Sequence, residues 1–591
     1  MKDFFKYVLA TVTGLIITGL VLMFLGAIII LGVAMSSSAP VVEDNTVMVL
    51  KLDGAITERT ENNVFSEILY GGDSSLSLED MLSAIEQAKE NEKVKGIYLE
   101  AGMMSGATPA MLQELRDAIV DFKKSGKFVL SYGDTYTQGA YYVCSAADSV
   151  VVNPSGMLEW KGMSMQTTFF KDLLDKVGVE MQIFKVGTYK SAVEPFIATE
   201  MSDANREQVS VFSNEVWDEM LADVSVSRNM LPEKLDLLAD TVTALCEPTF
   251  YLKEGLVDKL AYSDEVPRII CNMMGVEEDD DYNVMDYRDM AQVASEQPKD
   301  DSGNIVAVYY AYGDIVDVPS SNAMSAEIAS SKVIRDLEEL AEDEDVKAVV
   351  LRVNSGGGSA YASEQIWHQV MNIKSKKPVV VSMGGMAASG GYYISCAADW
   401  IVAEPTTLTG SIGIFGMVPE VSKLVNDKLG VYFSTVKTNE YADFGDLSRP
   451  MNDSEKSVMQ AYVERGYELF TKRCADGRSM SQDSIKSIAE GRVWTGSHAK
   501  ELGLVDQLGS LGDAVDKAKQ LAEIEACTVM SYPGQSSCLD MFAQAAKGDS
   551  YADSKMKEIM GDYYNIFSYL KHVSSERAIV AKMPYTFNFG L

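Results

Sequence analysis

The sequence predicts an α/β fold made of two tandem copies of one domain, preceded by a single N-terminal transmembrane helix. Three observations predict it: an apolar stretch near the N-terminus, a long self-similarity between the two halves, and short β-branched runs that alternate with helical patterns. Alternating strands and helices favour parallel sheets with crossover helices. A chain of 591 residues is also too long for one ordinary domain.

The N-terminal stretch has no charged residue between Lys6 and Glu43, and its strongly apolar part runs from Tyr7 to Met35. As a helix this part would extend about 44 Å, enough to cross a ~30 Å hydrocarbon core with some tilt. It is also longer than the apolar core of a secretory signal. Because lysines precede it and acidic residues follow it, we expect the N-terminus in the cytoplasm and the rest of the chain outside. Residues 7–35 would then contact lipid as the anchor of a single-pass protein.

The two halves of the chain repeat each other at a nearly constant offset. SYGDTYTQGAYYVCSAAD (131–148) resembles SMGGMAASGGYYISCAAD (382–399) at an offset of 251 residues (382 − 131). DKVGV (175–179) matches DKLGV (427–431) at an offset of 252. Coincidence over this length is very improbable, so the sequence predicts an internal duplication.

The duplication divides the chain into five parts. The two copies are joined by a polar stretch around residues 294–304, which has the composition of a linker. We predict an N-terminal tip and anchor (1–44), a first domain (45–296), a linker (297–302), a second domain (303–545) and a C-terminal tail (546–591).

The second copy illustrates the expected alternation of elements. KAVVLRVN (347–354) and KPVVVSM (377–383) have the continuous apolar pattern of buried strands. Residues 325–345 and 363–376 have helical patterns. These elements predict a parallel sheet in each copy.

Composition excludes several classes of protein. A net charge of −35 would repel phosphates, so no nucleic-acid partner is expected. None of the seven cysteines forms a CxxC pair, so no metal site and no cofactor are predicted, and buried thiols are the default interpretation. A disulfide such as one between Cys246 and Cys271 stays open. Only three histidines are present, which is few for a serine hydrolase that needs one.

Two motifs in the second copy contain candidate catalytic groups. In AASGGYY (387–393), Ser389 stands between small residues, as in a strand-to-helix turn that exposes a hydroxyl and opens backbone N–H groups. In VNSGGGS (353–359), the glycines let a substrate backbone approach and their N–H groups face an oxygen anion. Alone, the first motif also suits a tightly packed turn, and the second also suits a plain loop or a phosphate cradle. The pair is more specific than either motif.

These motifs resemble the signal peptide peptidase A family within the ClpP/crotonase superfamily. TYKSAVEPF (188–196) resembles the lysine-bearing segment of its long, duplicated members, and TGSIGIFG (409–416) and residues 491–509 also match family segments. The resemblance covers nearly all of residues 45–540 and implies two tandem ClpP/crotonase-like domains. One departure is Gly356, where family members usually have proline.

The duplication gives an independent view of the same residues. The position of Ser389 is occupied in the first copy by Gln138, which cannot act as a nucleophile. Conversely, Lys190 in the first copy corresponds to Ala442 in the second. One copy keeps a serine and the other keeps a lysine, which predicts one composite site for each pair of domains.

By resemblance, Ser389 is the nucleophile, Lys190 its general base and Ser411 the residue that orients the lysine. Backbone donors to an oxyanion hole would come from Gly357, Gly358 and Gly390. The family further implies a membrane-anchored endopeptidase of the bacterial inner membrane, with its catalytic domains on the periplasmic side. The implied substrates are hydrophobic peptides such as cleaved signal peptides, and the implied assembly is a homotetramer.

Two other functions stay open from the sequence alone. A crotonase-type acyl-CoA enzyme would share the oxyanion hole but would need no serine–lysine pair and no anchor. A non-catalytic membrane scaffold would result if both copies were degenerate, although the intact Ser389, Lys190 and glycine loop argue against it.

Overall fold

The computed structural model describes residues 40–60, 75–277, 282–293, 302–319, 326–534 and 579–582, with a few positions between 6 and 19. Most of the predicted membrane helix at 7–35 and most of the predicted tail at 546–591 lie outside the described residues. Within the part that is described, no helix is long and apolar enough to cross a membrane.

The first half is built on a seven-stranded parallel sheet, here called the N-terminal sheet. In spatial order its strands are Asn283–Asp286 and Leu76–Ser77 on one edge, then Thr46–Thr57, Val94–Ser105, Phe128–Tyr136, Ser149–Leu158 and Lys259–Leu260.

The second half repeats this arrangement in an eight-stranded sheet, the C-terminal sheet. Its strands are Thr528–Tyr532, Ile305–Tyr312, Val346–Ser355, Val379–Ala388, Trp400–Ala403, Gln507–Leu508, Leu408–Gly410 and Val493–Thr495. All pairs are parallel except that of the last two strands. In both halves a late strand, Asn283–Asp286 or Thr528–Tyr532, returns to pair beside the first long strand, as a duplicated domain requires.

Helices cover the faces of both sheets. In the first half they are Leu78–Glu90, Pro109–Lys123, Gln138–Cys144, Lys171–Val177, Glu194–Ile197, Asp203–Arg228, Pro232–Ala239, Pro248–Glu254, Val266–Met274 and Tyr287–Ala291. In the second half they are Ser330–Glu342, Ala360–Lys374, Gly390–Ser395, Asp453–Arg478, Gln482–Ile488, Gly496–Glu501 and Leu511–Leu521. Each half therefore has its own apolar core, and Val346–Ser355 is buried along both faces as a covered parallel strand should be.

The predicted elements of the second copy differ most from the structure at the N-terminal end of one helix. Both predicted strands are present, and the helix predicted at 363–376 is observed as Ala360–Lys374. The helix predicted at 325–345 begins only at Ser330, because Glu327–Ala329 forms a short strand that pairs with Asp314–Val316. This pairing buries Ile328 in the core, which overrides the helical pattern at that end.

A third, six-stranded sheet joins the two halves. Glu180–Lys185 of the first half pairs antiparallel with Phe415–Glu420 of the second half over six residues. The same sheet contains Gly357–Ser359, from the glycine loop, and Ile579–Lys582, near the C-terminus. This sheet places the end of a first-half strand beside the motifs of the second half.

A buried ionic network also joins the halves. The Arg352 guanidinium lies 3.0 Å from Glu58 and 2.6 Å from Glu114, and all three side chains are almost completely buried. It also donates to the Ser382 hydroxyl at 3.0 Å. Because an unpaired charge in this position would be strongly destabilising, the network favours one arrangement of the two halves.

Candidate active site

Ser389 stands at a strained turn between a strand and a helix. It follows Val379–Ala388 and directly precedes Gly390–Ser395, with φ +56° and ψ −113°. A non-glycine residue in such a conformation costs about 1–3 kcal/mol, and it persists only where its surroundings hold it. Here the Ser389 N–H donates to the Gly410 carbonyl at 2.8 Å. The turn projects the hydroxyl away from both elements.

The glycine loop lies beside this turn. A side chain on Gly391 would come within 2.6 Å of the Ser355 carbonyl oxygen, so the two segments touch through their backbones. Gly357 has φ +100°, a conformation that favours glycine, and a side chain on Gly358 would collide with the Ile315 backbone. The Gly357 N–H donates to the Ser355 hydroxyl at 3.1 Å.

Lys190 reaches Ser389 from the other half of the chain. It follows Glu180–Lys185, whose pairing with Phe415–Glu420 fixes the direction in which the chain leaves the third sheet. The Tyr189 N–H then donates to the Glu490 carbonyl at 3.0 Å, which holds the turn against the second half. Sheet pairing therefore positions the lysine, although it lies 199 residues from Ser389 in sequence.

The Lys190 amine has three close neighbours. Its Nζ lies 2.7 Å from Ser389 Oγ, and 3.1 Å from both the carbonyl oxygen and the Oγ of Ser411. A neutral amine has two N–H donors and one lone pair. The two donors match the two Ser411 oxygens, which leaves the lone pair for the Ser389 hydroxyl proton. The structure thus brings Ser389, Lys190 and Ser411 together within one chain.

Burial changes the protonation of Lys190. The side chain is 1% exposed, and desolvation lowers its pKa from 10.5 to about 7. No salt bridge joins it to a carboxylate in the described part of the chain, so no opposite charge offsets the cost of burying the ammonium. The fall corresponds to roughly 5 kcal/mol in favour of the neutral amine. A lysine with this pKa can accept a proton near neutral pH.

The sequence patterns did not identify two other residues that hold Lys190 in place. Gln208 donates to the Tyr189 carbonyl at 3.0 Å and to the Ser191 hydroxyl at 3.1 Å, and it accepts from the Val493 N–H at 3.2 Å. Gly491 packs against the lysine stem, where a side chain would come within 2.7 Å of the Lys190 Cβ. A glutamine inside a helical pattern gives no sequence signal for this role. Gly491 did lie within one of the family-like segments.

The duplicate positions differ from this arrangement. Gln138 is buried, accepts from the Lys161 and Gly162 N–H groups at 2.8 and 3.0 Å, and donates to the Gly162 carbonyl at 3.0 Å. Its amide therefore fills the space that a nucleophile would need. Ala442 lies exposed in a turn.

The described histidines lie away from this cluster. His498 Nδ1 lies 2.7 Å from Glu215 Oε1 and its ring lies beside Trp494, while His368 is exposed on its helix. His572 is outside the described residues. The two described histidines thus have structural or surface positions.

A strand from the C-terminal tail passes along the same edge. The backbone of Ile579–Lys582 runs antiparallel to Gly357–Ser359 on one side and to Phe415–Gly416 on the other. An extended peptide backbone therefore fits between the glycine loop and the strand that pairs with the lysine-bearing segment.

Comparison with known proteins decides the family. The family model described as "Peptidase family S49" matches residues 121–276 and 372–525. The chain belongs to peptidase family S49. The two separate matches confirm the predicted duplication, and a "Clp protease" model that matches residues 315–403 agrees with the ClpP-like fold.

Relatives with assigned names align with most of the chain. "Protease 4" of Salmonella typhi is 37% identical over 517 residues, which cover 85% of this chain and 82% of the relative. "Protease 4" of Haemophilus influenzae is also 37% identical, over 76% of this chain and 73% of the relative. "Serine protease SPPA, chloroplastic" of Arabidopsis thaliana is 32% identical over 82% of this chain and 70% of its own. The S49 chain is accordingly a serine protease, which disfavours the acyl-CoA enzyme and the scaffold.

Proposed function

We propose that this S49 chain is a membrane-anchored endopeptidase that uses a Ser389–Lys190 dyad to degrade hydrophobic peptides such as cleaved signal peptides. The observation that carries the proposal is the 2.7 Å contact between Ser389 Oγ and a buried Lys190 whose pKa lies at about 7. This pair supplies a nucleophile and a base in a cluster that contains neither of the two described histidines.

The proposed reaction begins with neutral Lys190. It takes the Ser389 proton while Oγ attacks the peptide carbonyl, and the resulting ammonium protonates the leaving amine. The backbone N–H groups of Gly357, Gly358 and Gly390 stabilise the oxyanion. To donate to the oxyanion, the Gly357 N–H gives up its hydrogen bond to the Ser355 hydroxyl. Lys190 then deprotonates a water, which hydrolyses the acyl-enzyme. Ser411 keeps the amine directed at both the serine and the water.

Substrate would bind as an added strand. The pairing of Ile579–Lys582 with Gly357–Ser359 and Phe415–Gly416 supports this mode, because any extended peptide offers the same backbone donors and acceptors. Main-chain binding with little demand on side-chain identity suits an enzyme that degrades varied apolar peptides.

Removing the tail strand is expected to increase activity. A chain ending at residue 578 lacks Ile579–Lys582, which competes for the strand position from within the same molecule. Intramolecular competitors act at effective concentrations up to the millimolar range, so kcat/KM should rise by about tenfold. A chain ending at residue 582 keeps the strand and is the matched control. Equal kcat/KM for the two truncated chains would contradict this binding mode.

Loss of the Ser411 hydroxyl is expected to reduce kcat without abolishing it. Ser411→Ala removes one of two Ser411 contacts to Lys190 Nζ and leaves the carbonyl contact at 3.1 Å. We expect kcat to fall roughly 10- to 100-fold with little change in KM, measured with a fluorogenic peptide. Because Ser411 has φ +47°, Ser411→Gly tests whether backbone strain contributes. Normal kcat in Ser411→Gly would show that the hydroxyl does not orient the lysine.

Covalent labelling tests the proposed nucleophile. A serine-reactive acylating or phosphonylating peptide should add one label per chain, and mass spectrometry of the digest should find it on Ser389. Ser395→Ala is a suitable control, since Ser395 is equally buried on the adjoining helix. Labelling should persist in Ser395→Ala and vanish in Ser389→Ala. A label on another serine would overturn the assignment.

The remaining parts of the proposal concern location and assembly. We propose that residues 7–35 anchor the chain in the bacterial inner membrane, with domains 45–296 and 303–545 on the periplasmic side and joined by residues 297–302. The charge distribution around the apolar stretch supports this orientation. We also propose that the chain forms a homo-oligomer, with a tetramer as the implied assembly.

A further inference from the structure

Two cysteines of the second half touch each other at the far end of a helix of the candidate active site. Cys396 directly follows Gly390–Ser395, and Cys474 lies near the end of Asp453–Arg478. Both are free thiols in this structure, and both are 0% exposed. The Cys396 thiol donates to the Tyr393 carbonyl at 3.2 Å, which leaves the Cys474 thiol to donate to the Cys396 sulfur.

Contacts on either side of the pair hold the two helices together. Before the cysteines, the rings of Tyr393 and Phe470 stack with their centroids 4.3 Å apart. After them, a side chain on Gly477 would come within 2.2 Å of the Cys396 carbonyl oxygen, so the two backbones touch there. Because the helices are fixed about one turn before and one turn after Cys474, their packing sets the sulfur contact, and it does not depend on a single side-chain rotamer.

The first half lacks this pair at the corresponding positions. At an offset of 251 residues, Cys396 corresponds to Ser145. The two long helices begin at an offset of 250 residues (453 − 203), so Cys474 corresponds to Val224. Ser145 and Val224 are both fully buried, so a hydroxyl and an aliphatic side chain fill the same space in that half. The fold therefore requires no thiol at either position, yet the half that contains Ser389 has both.

We propose that Cys396 and Cys474 form a disulfide bond when the chain folds outside the cytoplasm. The bond depends on the periplasmic location proposed above, because disulfides form and persist in that compartment and are rare in the cytosol. It is a modification of the enzyme and is independent of the serine–lysine chemistry.

The bond forms by exchange with the disulfide of an oxidant, such as a thiol-oxidising protein. The thiolate of one cysteine attacks an oxidant sulfur, which gives a mixed disulfide and releases one oxidant thiolate. The thiolate of the other cysteine then attacks the sulfur of the first and expels the second oxidant thiolate. In total the two cysteines lose two protons and two electrons, and the oxidant gains them as two thiols.

Burial determines when this exchange can occur. Desolvation raises the pKa of Cys474 well above its usual range, and the thiolate is the form that attacks a disulfide. Both sulfur atoms are also closed to solvent once the helices have packed. We therefore expect the bond to form before the core closes and to resist reductants in the folded protein.

The bond would connect the helix after Ser389 to the support of the lysine-bearing segment. The long helix Asp453–Arg478 contacts the strand that precedes Lys190, because Gln460 in this helix donates to the Lys185 carbonyl at 3.4 Å. A disulfide between positions 78 residues apart (474 − 396) also restricts the unfolded chain, which stabilises the folded state.

Mass spectrometry of the full chain in native membranes detects the bond. The membranes are denatured in N-ethylmaleimide, which blocks free thiols, and the chain is digested without reductant. The peptides that contain Cys396 and Cys474 should be linked to each other, whereas Cys144 should carry the label. Cys144 is the matched control, since it is equally buried but its thiol contacts the Ser131 hydroxyl.

A second arm tests the pair without reference to the compartment. The purified full chain in detergent is equilibrated with oxidised and reduced glutathione, in urea below the unfolding transition, where the core opens briefly. The bond between Cys396 and Cys474 should form there. Free thiols or separate glutathione adducts at both positions would overturn the proposal.

The accessibility of the chain separates a failure of the bond from a failure of the location. Free thiols at Cys396 and Cys474 in cells whose chain is digested by protease added from outside would also overturn the proposal. If the bond forms with glutathione, but the cellular chain has free thiols and is protected from that protease, the pair is supported and the periplasmic location is wrong.

The unfolding temperature gives an independent measurement. Dithiothreitol, which reduces the bond as the chain opens, should lower the unfolding temperature of wild type by about 5 °C. The double variant Cys396→Ser, Cys474→Val copies the pair found in the first half and is the matched control. Its unfolding temperature should be the same with and without dithiothreitol. An unchanged temperature in wild type, or an equal decrease in the double variant, would contradict the bond.

Discussion

Ser389→Ala is expected to reduce kcat for peptide hydrolysis by about 10⁴-fold or more. Alanine removes the only oxygen that lies 2.7 Å from the Lys190 amine and keeps the helix that follows it. Removal of a serine nucleophile in well-studied proteases has effects of this size or greater, and the residual rate reflects binding and the oxyanion hole. A fluorogenic apolar peptide, assayed with the full chain in detergent, measures the change.

The control for this experiment separates chemistry from folding. Ser395→Ala removes a buried hydroxyl that donates to the Gly391 carbonyl one turn along the same helix. It should retain most of the activity, and both variants should unfold at similar temperatures. If Ser389→Ala retained more than a few per cent of wild-type kcat, another residue would be the nucleophile.

Lys190 is expected to determine how the rate depends on pH. Its pKa lies at about 7, so the fraction of neutral amine increases as pH rises through that value. We expect kcat/KM to increase about tenfold per pH unit below 7 and to level off above about pH 8. Lys190→Arg should be inactive throughout, because a guanidinium with a pKa above 12 remains charged and cannot accept the serine proton.

Lys185→Arg is the matched control for the lysine. Lys185 lies on the adjoining strand, five residues before Lys190, and is only half-buried. Its replacement should leave both the rate and the pH profile unchanged. A profile that stays flat between pH 6 and 8 in wild type, or substantial activity in Lys190→Arg, would exclude Lys190 as the base.

If Ser389 and Lys190 form the proposed dyad, neither half is expected to be active alone, because the two side chains come from different halves of the chain. The strand Glu180–Lys185 belongs to the first half but obtains its hydrogen-bonding partner from Phe415–Glu420. The buried contacts of Arg352 with Glu58 and Glu114 oppose separation of the halves. The proposed catalysis therefore depends on the docking of the two copies.

The sequence by itself determined the repeat and the alternation of strands and helices, and it identified the residues that we propose to carry the chemistry. Periodicity and self-similarity are local or pairwise properties of the chain, so they can be identified without coordinates. The substitution of Gln138 and Ala442 at the duplicate positions indicated one composite site before any distance was known. The assignment of a general base to Lys190 depended on resemblance, because nothing local distinguishes it from a surface lysine.

Only the tertiary structure decided how that lysine obtains the low pKa that the proposed base needs. Its low pKa results from complete burial, and burial results from contacts with Gly491 and the Ser411 loop, more than 200 residues away. The strand at Glu327–Ala329, which the helical pattern concealed, likewise depends on a partner outside its own segment. Desolvation and strand pairing are set by distant parts of the chain, and local sequence patterns do not specify them.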